Sequence, residues 1–250
     1  MAETVDLVVQ IEAQKAAFDN GFRIERGVEG PWLRFASTNA KGDIWITAPS
    51  ASGPWFLSLS HTGVAAEFGG GTARGPGIAT FSYASRQDLH DAIARAYRLG
   101  VSLPDAPLHA FQAATQALPR TTETERMVVQ RVSQDIFRDA LLKYWNECCP
   151  LTGISEPALL RASHIIPWSR CESDAQRLDV HNGLLLSSLW DSAFDSGLVS
   201  FTDEGDVLFS PKLSEPTREL LLAGAATRLT GLTSAHRSNL AFHRRLHGYE

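Results

Sequence analysis

The chain has 250 residues, 44% of them hydrophobic and 20% charged, with a net charge of −5. That suits one large soluble domain or two small ones, and it excludes a protein that grips nucleic acid by bulk positive charge. Nine Lys and Arg stand against eleven Asp and Glu before Pro119, and 14 against 17 after it, so any nucleic-acid site must be a local patch. No apolar run reaches the length of a membrane span. The acidic opening, MAETVDLVVQIEAQK, lacks the basic segment and long apolar stretch of a secretory signal, so the cytoplasm is the expected compartment. Cys148, Cys149 and Cys171 make neither a disulfide framework nor a CxxC pair.

In chain order, residues 5–20 read as a helix ending at Gly21. Four β-like runs follow at 32–36, 43–47, 55–59 and 78–83, rich in aromatic and β-branched residues and punctuated by Pro and Gly. Gly69 to Gly77 reads as a mobile loop between the last two. A second helix spans 86–99, with Ser85 as N-cap and Gly100 as C-cap. Residues 1–103 are therefore expected to form an α+β module of two helices and a four-stranded antiparallel sheet. Trp32, Trp45 and Trp55 belong to its core by default, although strand alternation could turn one or two of them toward a pocket.

Residues 104–122, with Pro104, Pro107 and Pro119, read as a connection containing a short helical piece over 108–118. Residues 123–145 are the strongest helix, with Val128, Val132, Ile136, Ala140 and Leu141 at helical spacing and Thr122 with Glu125 as a capping box. Further on, 198–210 reads as a β-hairpin turning at 203–206, and 213–222 as a helix. The tail from Arg228, with Arg237, Arg244, Arg245, His236, His243 and His247 against Glu250, is the one plainly basic stretch.

The chemistry concentrates between Arg161 and Gly197. His164 sits in an apolar run with Ile165, Ile166 and Pro167, and Asn182 opens a second run, Gly183 to Leu186. Asp191 and Asp195 are four residues apart, one above the other if 187–194 is helical. The order is strand, loop, strand, helix. It brings one imidazole and two carboxylates into play, which is what a general base and a divalent metal require. Each residue also has a plainer reading: a packed strand histidine, a turn asparagine, a helix cap and a solvated carboxylate.

The order resembles the HNH nuclease superfamily, whose core is a β-hairpin followed by a helix around one metal ion. The residues that carry the likeness are His164-Ile165-Ile166-Pro167-Trp168, Arg177-Leu178-Asp179, Asn182 to Leu186, Asp191, and Phe194 to Phe201. The likeness extends weakly to Thr122 and to the C-terminus, implying a nuclease domain over 123–250 and an α+β chain overall. It implies His164 as general base and Asn182 as the residue that pins the loop holding it. It places one Mg²⁺ or Mn²⁺ on Asp191 and Asp195, which oxygen ligands favour over zinc. Two positions depart from the family. Asp191 stands where a histidine is common, and Ser163 where an Asp or His ligand is common, leaving water and substrate phosphate to complete the metal shell. Thr152 stands where a second cysteine of a structural zinc site would follow Cys149, so no structural zinc is expected.

The resemblance further implies an endonuclease acting on DNA, duplex by preference, whose products carry 5′-phosphates. A restriction or defence role, with the first module selecting the target and two copies cutting both strands, follows by analogy. Arg161, Arg170 and Arg177 could contact phosphates, since arginine forks suit them, or could form salt bridges. Arg244 and Arg245 are further candidates for DNA contact. Trp168 could stack on a base or sugar, or pack. His181 is expected to be exposed. The rival readings are a catalytically silent nuclease fold that binds nucleic acid or protein, and an RNA-directed nuclease or toxin.

Overall fold

The computed structural model describes residues 5–118 and 122–249, apart from the side chain of Arg126. Pro119 and Glu250 lie outside them. The chain divides into two compact units, Met1–Leu103 and Pro104–Glu250. Helices and antiparallel sheets mix throughout, so the fold is α+β.

In the first unit, α1 (Leu7–Asp19) starts at Asp6, whose carboxylate accepts from the amides of Val8 and Val9. Five strands follow as an antiparallel meander: β1 (Ile24–Glu29), β2 (Trp32–Ala36), β3 (Ile44–Thr47), β4 (Trp55–Leu59) and, after the short helix α2 (Thr62–Glu67), β5 (Ala79–Tyr83). The register stacks Leu33 with Ile46 and Phe35 with Ile44, then Ile44 with Leu59 and Ile46 with Leu57. These side chains form one apolar face, buried under α1 and α3 (Arg86–Ser102). Each fully buried side chain of this kind contributes about 1.5–3 kcal/mol relative to an exposed one.

Two differences from the four-strand expectation are informative. β1, IERGVE, is exposed along most of its length and carries no alternating apolar signal; pairing with β2 defines it. Gly100, expected as a C-cap, lies inside α3, which runs on to Ser102. A Cβ there would stand 3.0 Å from that of Ala40, so the glycine permits a close approach. The glycine-rich stretch of 69–77 is hydrogen-bonded onto the sheet through Thr72 to Thr80 and Gly77 to Ser58. Trp45 and Trp55 are buried and Trp32 is half-buried.

In the second unit, the stretch read as a connection holds α4 (Asp105–Thr115), which packs on α5 (Glu123–Tyr144). The Thr122–Glu125 capping box starts α5. The hairpin β6 (Leu160–His164) and β7 (Gly183–Ser187) encloses a long loop with the single-turn helix α6 (Asp174–Arg177). Then come α7 (Ser188–Asp195), the small hairpin β8 (Val199–Phe201) and β9 (Val207–Phe209), α8 (Glu215–Leu222) and α9 (Ser234–His247).

The buried face of α5 is only in part the expected one. Ala140 and Leu141 point inward as expected, but with Ser133 and Phe137 beside them, while Val128 is 47% exposed. Gly183 explains the choice. A Cβ on it would come within 2.6 Å of the Phe137 ring and 2.7 Å of Leu141, so a missing side chain lets α5 press directly on the start of β7. The basic tail becomes α9, amphipathic with His236, Leu240, His243 and Arg244 buried. Among the described residues, no helix is long and apolar enough to cross a membrane.

Candidate active site

His164 ends β6, opposite Gly183. Its ring lies on Phe137, centroids 3.9 Å apart and nearly parallel, and meets the Trp168 indole edge-on at 5.4 Å. Nε2 is 2.9 Å from the carbonyl oxygen of Arg177. A carbonyl can only accept, so Nε2 carries the proton and the neutral ring keeps its lone pair on Nδ1. Nδ1 makes no hydrogen bond within the described residues. Desolvation lowers the imidazole pKa below its ordinary value; the Arg177 carbonyl opposes this and the Arg177 charge adds to it. The ring is therefore neutral near pH 7 and able to accept a proton.

Asn182, completely buried, builds the cradle for that ring. Its Oδ1 accepts from the Ile166 amide at 2.8 Å. Its Nδ2 lies within 3.3–3.4 Å of the Ile166 carbonyl, the Cys171 sulfur and the Gln176 carbonyl. Its own carbonyl accepts from Ile165 at 3.0 Å. One amide thus ties both limbs of the 166–181 loop to the hairpin, one residue past His164. From the other side, Arg138 on α5 donates to the carbonyls of Leu160 and Pro157 at 2.8 and 2.7 Å and fixes the start of β6.

The carboxylates stand on α7, which packs against β6. Asp191 Oδ1 accepts a short hydrogen bond from the hydroxyl of Ser163, a buried side chain next to His164 in the chain. Asp195 follows one turn later. Its pKa is raised above the usual carboxylate range, first by desolvation and then by the charge of Asp191. A carboxylate whose ionisation burial and a neighbouring charge disfavour is relieved by a divalent cation, and an all-oxygen donor set fits Mg²⁺ or Mn²⁺. Among the described residues, no three His, Cys, Asp or Glu gather into a metal-holding group. The chain thus offers two carboxylates, and the remaining positions of such an ion would fall to water and phosphate.

The arginines divide. Arg161 turns back on the carbonyls of Ala158 and Leu160. Arg177 braces its own loop, reaching Asp174 at 3.1 Å and the Cys171 carbonyl at 2.8 Å, with its guanidinium 5.7 Å from the Trp168 ring centre. Arg170 and Arg245 are exposed. Arg244 is not available to DNA: it is 7% exposed and committed to the Phe201 carbonyl and Asp203. His181, expected at the surface, has only 14% of its side chain exposed; it sits by Asp179 at 3.0 Å and packs on Tyr144 and His236. Sequence reasoning missed Phe137 and the Arg177 carbonyl. Phe137 was recoverable, because Ser133, Phe137, Ala140 and Leu141 also lie at helical spacing. A backbone carbonyl leaves no trace in side-chain identity.

A two-stranded hairpin, a loop pinned by one asparagine, and a helix bearing carboxylates make a ββα core. Residues 149–202, in the C-terminal half of the chain, match the family described as HNH endonuclease. No curated protein matches the chain.

Proposed function

We propose that the second unit hydrolyses phosphodiester bonds in DNA, duplex by preference, with one bound Mg²⁺ or Mn²⁺. In the same reading, the first unit selects the target, as in a restriction or defence nuclease. The observation that supports it most is the tautomer fixed at His164. With the Nε2 proton held by the Arg177 carbonyl, Nδ1 takes the proton of a water molecule, and the resulting hydroxide attacks phosphorus. The bond to the leaving oxygen breaks, that oxygen takes a proton from solvent water, and a 5′-phosphate and a 3′-hydroxyl remain. Asp191 and Asp195 would hold the ion, which supplies charge neutralisation at the scissile phosphate and at the leaving oxygen. Asn182 acts as a positioning residue: it keeps the loop, and with it the Arg177 carbonyl, where His164 needs it. Cutting both strands with one site per chain calls for two copies.

The test is plasmid cleavage in Mg²⁺ or Mn²⁺, wild type beside His164→Ala, with EDTA as control and unmodified and base-modified plasmid in parallel. Metal-dependent nicking that vanishes in the variant supports the reading, and equal cleavage by both proteins overturns it. Single-stranded DNA and RNA of the same sequence decide the substrate. A second reading, a silent nuclease fold that binds nucleic acid or protein, draws on the Ser163 hydroxyl bound to Asp191 where a third ligand would serve. Calorimetric titration with Mn²⁺ separates the two, because the silent fold predicts no binding that depends on Asp191 and Asp195.

A further inference from the structure

The first unit holds a cavity for which the nuclease reading has no use. It measures about 460 Å³ and lies where the end of α1, the start of β1, the stretch between β2 and β3, and α3 come together. Asn20, Arg23, Thr38, Asn39, Tyr97 and Arg98 are among its lining. Packing holds this wall: the Tyr97 ring meets Phe22 edge-on at 6.0 Å, and its hydroxyl accepts from the Asn39 side chain at 3.5 Å.

Two cations in this lining lack the partners such groups normally have. Arg98 is half-buried, and charged side chains drawn out of water are paired as a rule. Its Nε is closed off from solvent, so its binding capacity rests with the two terminal nitrogens, which keep contact with solvent. Among the described residues those nitrogens meet no carboxylate and no carbonyl. Burial lowers the Arg98 pKa, the charge of Arg95 adds to this, and Asp91 opposes it. Arg95 on the same helix is satisfied: it donates to the Glu67 carbonyl at 2.6 Å and lies over the Phe68 ring. Arg23 spends Nε on the Phe18 carbonyl at 3.2 Å, and its terminal nitrogens have no partner among the described residues. Asp19 is the one acid in the lining, and it forms an ion pair with neither arginine.

A cationic ligand would meet two guanidinium groups, and an apolar one would leave both without a counter-charge. A bare phosphate, a few times the roughly 30 Å³ share of a water molecule, would leave most of the space empty. A phosphate carried on a hydroxylated body meets every demand. Its oxygens suit two arginine forks, and its hydroxyls can donate to Asp19 and to the Asn20 side-chain carbonyl. The Asn20 amide is already spent on the Ala16 carbonyl at 2.8 Å, which leaves that oxygen as the acceptor. We propose that the first unit binds a small organic phosphate, a nucleotide or a sugar phosphate, in this cavity, with the phosphate on Arg98 and Arg23. The proposal goes beyond the nuclease reading and does not depend on it.

The test is thermal unfolding and calorimetric titration of the full chain with adenosine 5′-monophosphate, glucose 6-phosphate and inorganic phosphate. Ionic strength is held constant, and EDTA keeps any metal at Asp191 and Asp195 from drawing the phosphate. Adenosine and glucose are the uncharged controls. For wild type, one of the organic phosphates is expected to bind and raise the melting temperature, its uncharged counterpart to do neither, and inorganic phosphate to bind more weakly. The tighter of the two organic probes distinguishes a nucleotide from a sugar phosphate. Arg98→Met is expected to weaken binding by about ten- to a hundredfold, the scale of a lost charge-assisted hydrogen bond. Its melting temperature without ligand holds or rises, because a half-buried charge without a partner is gone. Arg23 is exposed, so Arg23→Gln keeps the fold and should weaken binding by about three- to tenfold. No binding of either organic phosphate to wild type, or equal binding by wild type and both variants, overturns the proposal. So does a single-stranded oligonucleotide that binds through Arg98 where the small phosphates do not. Cleavage is not read in any arm, so the result stands whether or not the second unit cuts DNA.

Discussion

His164 and His243 are packed nearly alike. Each lies flat on a phenylalanine at 3.9 Å, Phe137 for one and Phe194 for the other. Burial is the first cause that lowers the pKa of each, and for His243 it does so to about 4, with help from His247. They differ in what their nitrogens do. His243 uses both, Nδ1 with the Ser200 hydroxyl at 3.0 Å and Nε2 with the Phe194 carbonyl at 3.2 Å. His164 uses Nε2 alone. Stacking and desolvation thus make a histidine neutral, and the nitrogen left over decides whether it can do chemistry.

The sharpest way to break this comparison is to delete each ring. His164→Ala is expected to cut cleavage by about 10²–10⁴-fold while the protein stays folded. His243→Ala should instead destabilise the fold by about 3 kcal/mol in denaturant titration, with kcat per folded molecule unchanged. Loss of cleavage without loss of stability in His243→Ala would sink the distinction. Next in size is the pH effect. Between about 4 and 6.5 the unfolded chain binds a proton that folded His243 does not. Stability is therefore complete above 6.5 and falls as pH drops toward 4, by about 3 kcal/mol in total. His243→Phe keeps the stack and should flatten that slope. The cleavage profile, set by His164, should still fall on acidification below that residue's lowered pKa.

Asn182→Ala removes a buried amide that serves several chain segments, and should cost about 2–3 kcal/mol of stability and most of the activity. Asn182→Asp, keeping the shape, tests whether the loss is positional. Asp191→Asn and Asp195→Asn should each weaken Mn²⁺ binding by about 2 kcal/mol, roughly thirtyfold, read by calorimetry. The smallest change is Ser163→Ala. It frees Asp191 of one hydrogen bond and should alter Mn²⁺ affinity by under about 1 kcal/mol.

The HNH core was legible because its order is long and its spacing is set by strand and helix geometry, from His164 to Phe201. What escaped did so for physical reasons. β1 is a polar edge strand whose pairing, not its composition, makes it a strand. α9 hides its inward face because His236, His243 and Arg244 are polar yet buried, so apolar periodicity is blank there. Thr233 as N-cap and Gly248 as C-cap were the available signals. For α5, two stripes share Ala140 and Leu141, and the bare Cα of Gly183 chooses between them, a choice a single helix cannot reveal.

The grip of Asn182 leaves the apex of the loop to hold itself. Ile166 and Cys171 are held on the outgoing limb and Gln176 on the returning one, while at the exposed apex the Glu172 amide donates to the Gln176 side chain and the Ser173 hydroxyl caps α6 by accepting from the Gln176 amide. A foreign peptide spliced between Glu172 and Ser173 would part the first of these bonds and loosen the start of α6, whose last residue supplies the carbonyl that holds the His164 proton. The apex is therefore a lever, through which a change in loop length is carried by one helical turn to the imidazole.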